Sequence, residues 1–194
     1  IGFYGVDNPP AESLDYVSDM LHIMGSFIVS SIRRRNLLRQ LERMSYRDQL
    51  TQFGNRYAVD WFVEHEWNGE QIGVVYCDIT GLKKVNDEQG HEAGDRLIIR
   101  ACECLAGVFK GYGLYRIGGD EFLVLCLGIE EKDLREHVEK LRMDMKEHQV
   151  TMAVGMIWKE HGPKDIDLLL NESERLMYED KDRYYKEHGL KRRR

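Results

Sequence analysis

With 194 residues, 32% of them charged and 42% hydrophobic, the chain is long enough for one packed domain plus an extension, and too apolar to be disordered. A net charge of −6 argues against a general nucleic-acid binder, which would present a basic face, but leaves room for a local anion site. The four cysteines (Cys77, Cys102, Cys104, Cys126) sit in apolar stretches with no C-x-x-C pair and no zinc-like spacing to histidines, which predicts reduced core residues of a cytoplasmic protein.

In chain order, residues 1–10 begin with a strand pattern, Ile1 to Val6, stopped by Asp7-Asn8-Pro9-Pro10. An orphan strand at this place is similar to the closing strand of a GAF sensor domain. Residues 11–46 are predicted as one long signalling helix. Leu14, Val17, Leu21, Met24 and Ile28 alternate steps of three and four, the seam spacing of a coiled coil. Arg33-Arg34-Arg35 breaks the phase, and Leu37, Leu38, Leu41 and Met44 resume it. A bare apolar stripe must be buried on something, either a second copy in a parallel homodimer or the chain's own domain. The run Met20 to Ile32 carries His22, Gly25 and three serines, so it is too short and too polar for a membrane segment.

After Ser45-Tyr46-Arg47-Asp48, which can cap a new start, and a turn-rich link over residues 50–56, Tyr57 to Trp67 reads as a helix. Ile72 to Ile79 reads as a central strand apolar on both faces, with Asp78 near its end. A loop or short helix leads to Gly90, followed by an amphipathic helix from His91 to Lys110. Next comes a hairpin whose turn is Ile117-Gly118-Gly119-Asp120, with the glycines expected to supply positive φ. A helix from Glu130 to Glu147, a strand from Val150 to Trp158 and a helix from Asp165 to about Tyr185 complete the domain, ahead of a basic tail at 188–194. From residue 71 onward this predicts an α+β fold, a ferredoxin-like β-α-β-β-α-β palm of the nucleotidyl cyclase kind, with the helices mainly on one face.

In that topology the end of the first strand neighbours the hairpin turn, so Asp78 is expected to face Asp120, with Glu121 alongside. Carboxylates crowded in a cleft either share a proton or hold a cation. An all-oxygen set suits Mg2+, or Mn2+ in its place, and Gly81-Leu82-Lys83 offers backbone N–H groups and a cation to phosphates. Metal and phosphate sites on a palm-like sheet point to phosphoryl or nucleotidyl transfer with two ions.

Three segments carry a resemblance. Asp78-Ile-Thr-Gly-Leu-Lys-Lys-Val-Asn86-Asp87, Gly90-His91-Glu-Ala-Gly94-Asp95 and Arg116-Ile-Gly118-Gly119-Asp120-Glu121-Phe122 resemble the GGDEF-domain diguanylate cyclases. Asp48-Gln-Leu-Thr-Gln-Phe-Gly-Asn55-Arg56 and the closing Met177-Tyr178-Glu-Asp-Lys181 extend the likeness over residues 47–187. The resemblance implies that two GTP are condensed to cyclic di-GMP and two pyrophosphates across a homodimer. It implies metal ligation by Asp78, Asp120, Glu121 and the Ile79 carbonyl, with Asp78, Asp120 and Glu121 in the catalytic roles. It also implies guanine recognition by Asn86 and Asp95, phosphate contacts from Leu82, Lys83 and Lys181, and close backbone approach at Gly118 and Gly119. An Asp acceptor matches the two N–H donors of guanine, which favours GTP over ATP.

Departures from the pattern keep a second reading open, a silent nucleotide-binding module. Thr80 replaces a common second Asp, Gln52 and Phe53 alter the first segment, and Tyr185 replaces a common phosphate-binding Arg, where Arg183 or Lys186 could substitute. The family's product-inhibition motif R-x-x-D is Phe109-Lys110-Gly111-Tyr112 here, which predicts no feedback by that route.

Overall fold

A computed structural model describes residues 14–44, 46–163 and 165–189. The GAF-like strand at 1–10 and most of the basic tail lie outside the described residues. The chain divides into two compact units, residues 1–45 and 46–194.

In the first unit, α1 runs Leu14–Met44. Within it, Val17 and Leu21 of the predicted seam are half-buried, while Met24 and Ile28 are exposed. A second apolar stripe, Tyr16, Met20, Ile23 and Phe27, repeats at steps of four, three and four and is also exposed, Tyr16 and Phe27 each at 72%. The helix is therefore apolar over a broader arc than the single seam expected from sequence. No helix among the described residues is long and apolar enough to cross a membrane.

The second unit holds α2 (Arg56–His65), β1 (Ile72–Ile79), α3 (Leu82–Gln89), α4 (His91–Val108), β2 (Gly113–Arg116), β3 (Glu121–Leu127), α5 (Glu131–Glu147), β4 (Met152–Lys159) and α6 (Asp167–Glu187). The four strands form one antiparallel sheet in the order β2-β3-β1-β4. The predicted β-α-β-β-α-β palm is therefore present, and β1 at its centre is buried along its whole length.

Strand alternation divides the core in two. Val75, Cys77, Phe122, Val124 and Val154 face α4 and α5. Ile72, Val74, Tyr76, Leu123, Leu125 and Ala153 face the other way, with Val59 and Phe62 of α2 and Leu169 and Met177 of α6. The expectation of helices mainly on one face is thus corrected. The two helices inside the β-α-β-β-α-β repeat share one face, and the flanking α2 and α6 cover the other. All four cysteines are free and buried, as reduced core residues should be, and burial pushes the thiols of Cys77, Cys102, Cys104 and Cys126 up to about 12, so they stay protonated when no metal is bound.

Each rim of the sheet carries a contact from outside the strands. On the β2 side, Gly54 adds a parallel bridge to Tyr115: its N–H donates to the Leu114 carbonyl at 2.9 Å and its carbonyl accepts from Arg116 N–H at 2.7 Å. On the β4 side, the Asp180 carboxylate accepts from Val154 N–H at 2.9 Å. Asn55 then caps α2, accepting from Ala58 N–H.

α6 lies so close to β4 that a Cβ on Gly155 would overlap the Ser173 carbonyl and the Met177 amide, both backbone atoms that cannot swing away. Gly155→Ala is therefore expected to destabilise the domain by roughly 3 kcal/mol, because the helix must lift off the sheet. Thermal or urea unfolding checks this.

Candidate functional site

The site gathers at one end of β1. Asp78 is 4% exposed, and its register partner on β3 is Glu121, with Ala153 on its other side. The sequence led us to expect Asp120 opposite Asp78, and this is corrected. Side chains of one parity share a sheet face, and Asp78 and Glu121 are both on the α6 side. Asp120 comes in through its backbone instead, its carbonyl accepting from Ile79 N–H at 2.9 Å. All three acids thus meet at the strand end, two through paired side chains and one through the main chain.

The turn that carries Asp120 and Glu121 is held from two sides. Ile117 N–H donates to the Glu121 carbonyl at 3.0 Å, closing the loop. Arg116 forks: Nη1 lies 3.1 Å from Asp48 Oδ1, and Nη2 donates to the Gly119 carbonyl at 2.7 Å. Burial alone would raise the Asp48 pKa, but hydrogen bonds from the Thr51 hydroxyl and amide, together with the Arg116 guanidinium, hold it below the usual range. Asp48 therefore stays charged and anchors Arg116. From sequence these residues figured only as family signature, and their mechanical role was not legible. The turn glycines also differ from expectation, since neither Gly118 nor Gly119 adopts positive φ. Gly118 matters sterically: an added Cβ would sit 2.6 Å from Glu121 Oε2 and would push that carboxylate from its place over the turn. Nothing lies within 4 Å of a Cβ at Gly119, which leaves open space above it.

Lys181 reaches in from α6. Its Nζ is 2.6 Å from Asp78 Oδ1, with side-chain exposures of 14% and 6%. The ammonium lies in the acid cluster itself, on the carboxylate that sequence reasoning assigned to metal. Glu121 is pushed above the ordinary glutamate range, first by burial and then by Asp120, Asp78 and Glu174, with Lys181 pulling the other way. Glu174, also on α6, was missed from sequence. The neighbouring phenols of Tyr76 and Tyr178 are raised as well, mainly by burial, with Glu121 the next cause, so both stay protonated.

The arrangement fits a hard divalent cation. The donors are carboxylates and a carbonyl, and Glu121 is destabilised by like charge that a cation would relieve. Two residues beyond Asp78, Thr80 Oγ1 is buried with no hydrogen-bond partner among the described residues, a polar atom in want of one.

The residues that the sequence assigns to the nucleotide lie on α3 and in the first turns of α4. Gly81, at φ 87°, turns the chain into α3 with no side-chain cap, so the first N–H groups of α3, those of Leu82 and Lys83 among them, have no partner within the helix. Leu82 is buried and Lys83 exposed. Asn86 packs on Gly94, where any Cβ would overlap its Oδ1, so it lies beside the exposed Asp95. The structure therefore brings together Asp78, Ile79, Asp120, Glu121 and Lys181 as one group, and Asn86 and Asp95 as another.

Comparison with known proteins agrees with this geometry. Residues 45–186 match the family described as diguanylate cyclase, GGDEF domain. Among curated proteins the chain is 29% identical over 172 residues to the bifunctional diguanylate cyclase/cyclic di-GMP phosphodiesterase MucR of Pseudomonas aeruginosa, covering 81% of this chain and 25% of that protein. It is 26% identical over 184 residues to the diguanylate cyclase DgcP of Escherichia coli, covering 84% and 54%. The chain spans between about a quarter and a half of the length of these and similar relatives. Among solved structures it shares the fold of the coiled coil and GGDEF domain of DgcB from Caulobacter crescentus, with a TM-score of 0.63 at 20% identity over 88% of this chain and 96% of that one. The acid-bearing hairpin, the palm sheet that presents it and the family match over most of the chain lead to one conclusion: this protein belongs to the GGDEF domain family.

Proposed function

We propose that the chain is a diguanylate cyclase acting in the cytoplasm. In this reading the 3′-oxygen of one GTP attacks the α-phosphorus of a second and expels pyrophosphate. A repeat of that step in the other direction closes cyclic di-GMP. The observation that carries the reading is the pairing of Asp78 with Glu121 across β1 and β3, with Asp120 fixed beside them through Ile79.

Asp78, Asp120, Glu121 and the Ile79 carbonyl would hold Mg2+, which when bound supplies charge neutralisation at the phosphates and acidity at the attacking hydroxyl. Glu121, with its raised proton affinity, takes the 3′-hydroxyl proton on its carboxylate. Lys181, freed from Asp78, turns its ammonium to the triphosphate, and the α3 amides of Leu82 and Lys83 bind the same group. Asp95 accepts from the guanine N1–H and N2–H while Asn86 bonds the same edge. Each subunit holds one GTP, so chemistry needs two copies, and the exposed stripes of α1 are suited to pairing them. Activity should then rise with protein concentration.

A second reading, a silent GTP or cyclic di-GMP-binding module, is favoured by one observation, the buried, partnerless hydroxyl of Thr80 beside Asp78, a neutral group where a further acid would strengthen metal binding. One assay separates the two. The purified chain incubated with GTP and Mg2+, with nucleotides resolved by chromatography, is expected to yield cyclic di-GMP and pyrophosphate. Asp120→Ala is expected to lower the yield by roughly 100-fold or more. Binding without turnover would establish the silent module.

Two stability measurements probe the same acids. The folded state holds the Glu121 proton more tightly than the unfolded chain does, so its stabilising contribution is complete below the ordinary glutamate range and lost as pH rises through the raised value. Glu121→Gln is therefore expected to raise Tm at neutral pH while abolishing turnover, and its advantage over wild type should vanish in acid. Removing the Asp78 partner acts in the opposite direction: Lys181→Met should cost roughly 3 kcal/mol by chemical denaturation, and Asp78→Asn in the same chain should recover part of the loss.

A further inference from the structure

The sheet face turned away from Asp78 carries a second cluster of ligating side chains. Cys104, on α4, is fully buried; Asp144, in the last turn of α5, is half-buried; His148, the residue that ends α5, is exposed. One ligand atom from each lies within 4.8 Å of the other two, and no other trio of His, Cys, Asp or Glu among the described residues does so. Asp144 Oδ2 and His148 Nδ1 are 3.7 Å apart. The cluster is invisible to sequence spacing, because forty residues separate the thiol from the carboxylate and α4–α5 packing alone unites them.

The frame is rigid. His148 N–H donates to the Asp144 carbonyl at 3.0 Å, and His148 Nδ1 is 2.9 Å from the same oxygen. Gln149 then takes φ 54°, and Val150 N–H closes the helix end on the Met145 carbonyl at 2.8 Å. The backbone that carries Asp144 and His148 is thus fixed at a defined helix terminus, and Cys104 sits in the hydrophobic core on α4.

The chemistry of the donors selects a metal class. Mg2+ and Ca2+ take oxygen ligands and do not take thiolate. A thiolate, an imidazole and a carboxylate converging from one side suit a four-coordinate Zn2+ with the fourth position left to water. An i,i+4 Asp–His pair is common on helix surfaces by itself. Here a buried thiol from another helix reaches the same point, its S–H donating to the Asp144 carboxylate, so three ligand types from two helices converge.

We propose that Cys104, Asp144 and His148 form a zinc-binding site that ties α4 to α5, separate from the acid cluster at Asp78. On binding, the Cys104 S–H bond breaks and a Zn–S bond forms, with the proton passing to solvent. His148 binds as neutral imidazole, and no electrons are transferred.

The test is titration of the reduced 194-residue chain with Co2+ in excess Mg2+, which keeps the hard-oxygen sites filled. The expected result is one equivalent bound, a thiolate-to-cobalt charge-transfer band, intense four-coordinate d–d absorption and displacement of both by Zn2+. Zn2+ should also raise Tm saturably. Cys104→Ala should remove the band, and His148→Ala, at an exposed helix end where folding is not at stake, should weaken binding by at least roughly 10-fold. The proposal is overturned if wild type shows no charge-transfer band, if the band survives Cys104→Ala, or if His148→Ala binds with unchanged affinity.

Discussion

A carboxylate buried at the end of a central strand governs how this domain is built. Asp78 is almost wholly removed from water, and an isolated charge there would cost several kcal/mol. Lys181 answers it at 2.6 Å, but only because α6 lies flat enough on the sheet for a side chain from its C-terminal half to reach the strand end. That flatness depends on Gly155, whose missing side chain leaves room for the α6 backbone. A glycine in β4, a helix against it and an ion pair beneath form one chain of dependence, with no link replaceable on its own. The ammonium that makes the acid tolerable at rest also makes it available, because a stronger cation arriving with a nucleotide would displace a lysine that can turn to phosphate.

The hairpin is fastened by different means. Arg116 joins the Gly119 carbonyl to Asp48, a residue sixty-eight positions upstream, and Asp48 keeps its charge through Thr51 and Arg116 despite being partly buried. The segment before α2 therefore works as a brace for the acid-bearing turn. Strain at the turn itself is small, since neither of its glycines needs a left-handed conformation. The cost falls on Glu121, which is crowded by three other acids and compensated in part by Lys181. A site held in this condition gives up stability to keep like charges together.

Much of this was legible in the sequence. The period-2 and period-3.6 patterns anticipated the strands and helices of the palm except α3, where they allow either a loop or a short helix, and the acid and glycine segments pointed to the residues that gather at the end of β1. What remained hidden was whatever depends on register or on packing between distant segments. The facing of Asp78 by Glu121 follows from parity along two strands, and parity could have revealed it, because Tyr76 and Val74 share the Asp78 side as Leu123 and Leu125 share that of Glu121. The covering of the second sheet face by α2 and α6 could not be read that way, because amphipathic helices do not announce which face they cover. Nor could the breadth of the apolar arc on α1, where Arg33-Arg34-Arg35 drew attention to a broken seam and away from the parallel stripe through Tyr16, Ile23 and Phe27.

The two rims of the sheet are each interrupted from outside the strands. Gly54 occupies the outer side of β2 and the Asp180 carboxylate meets the outer side of β4. Exposed strand edges recruit other strands, and such unions separate slowly once main-chain ladders have formed. Here each edge is interrupted at one point, Tyr115 on β2 and Val154 on β4, which hinders a continuous ladder with a second copy. Any meeting of two copies falls to side-chain surfaces and to helices, which come together and part readily. For a reaction proposed to need two half-sites face to face and then a product released from between them, a partner that can leave is as necessary as one that can arrive.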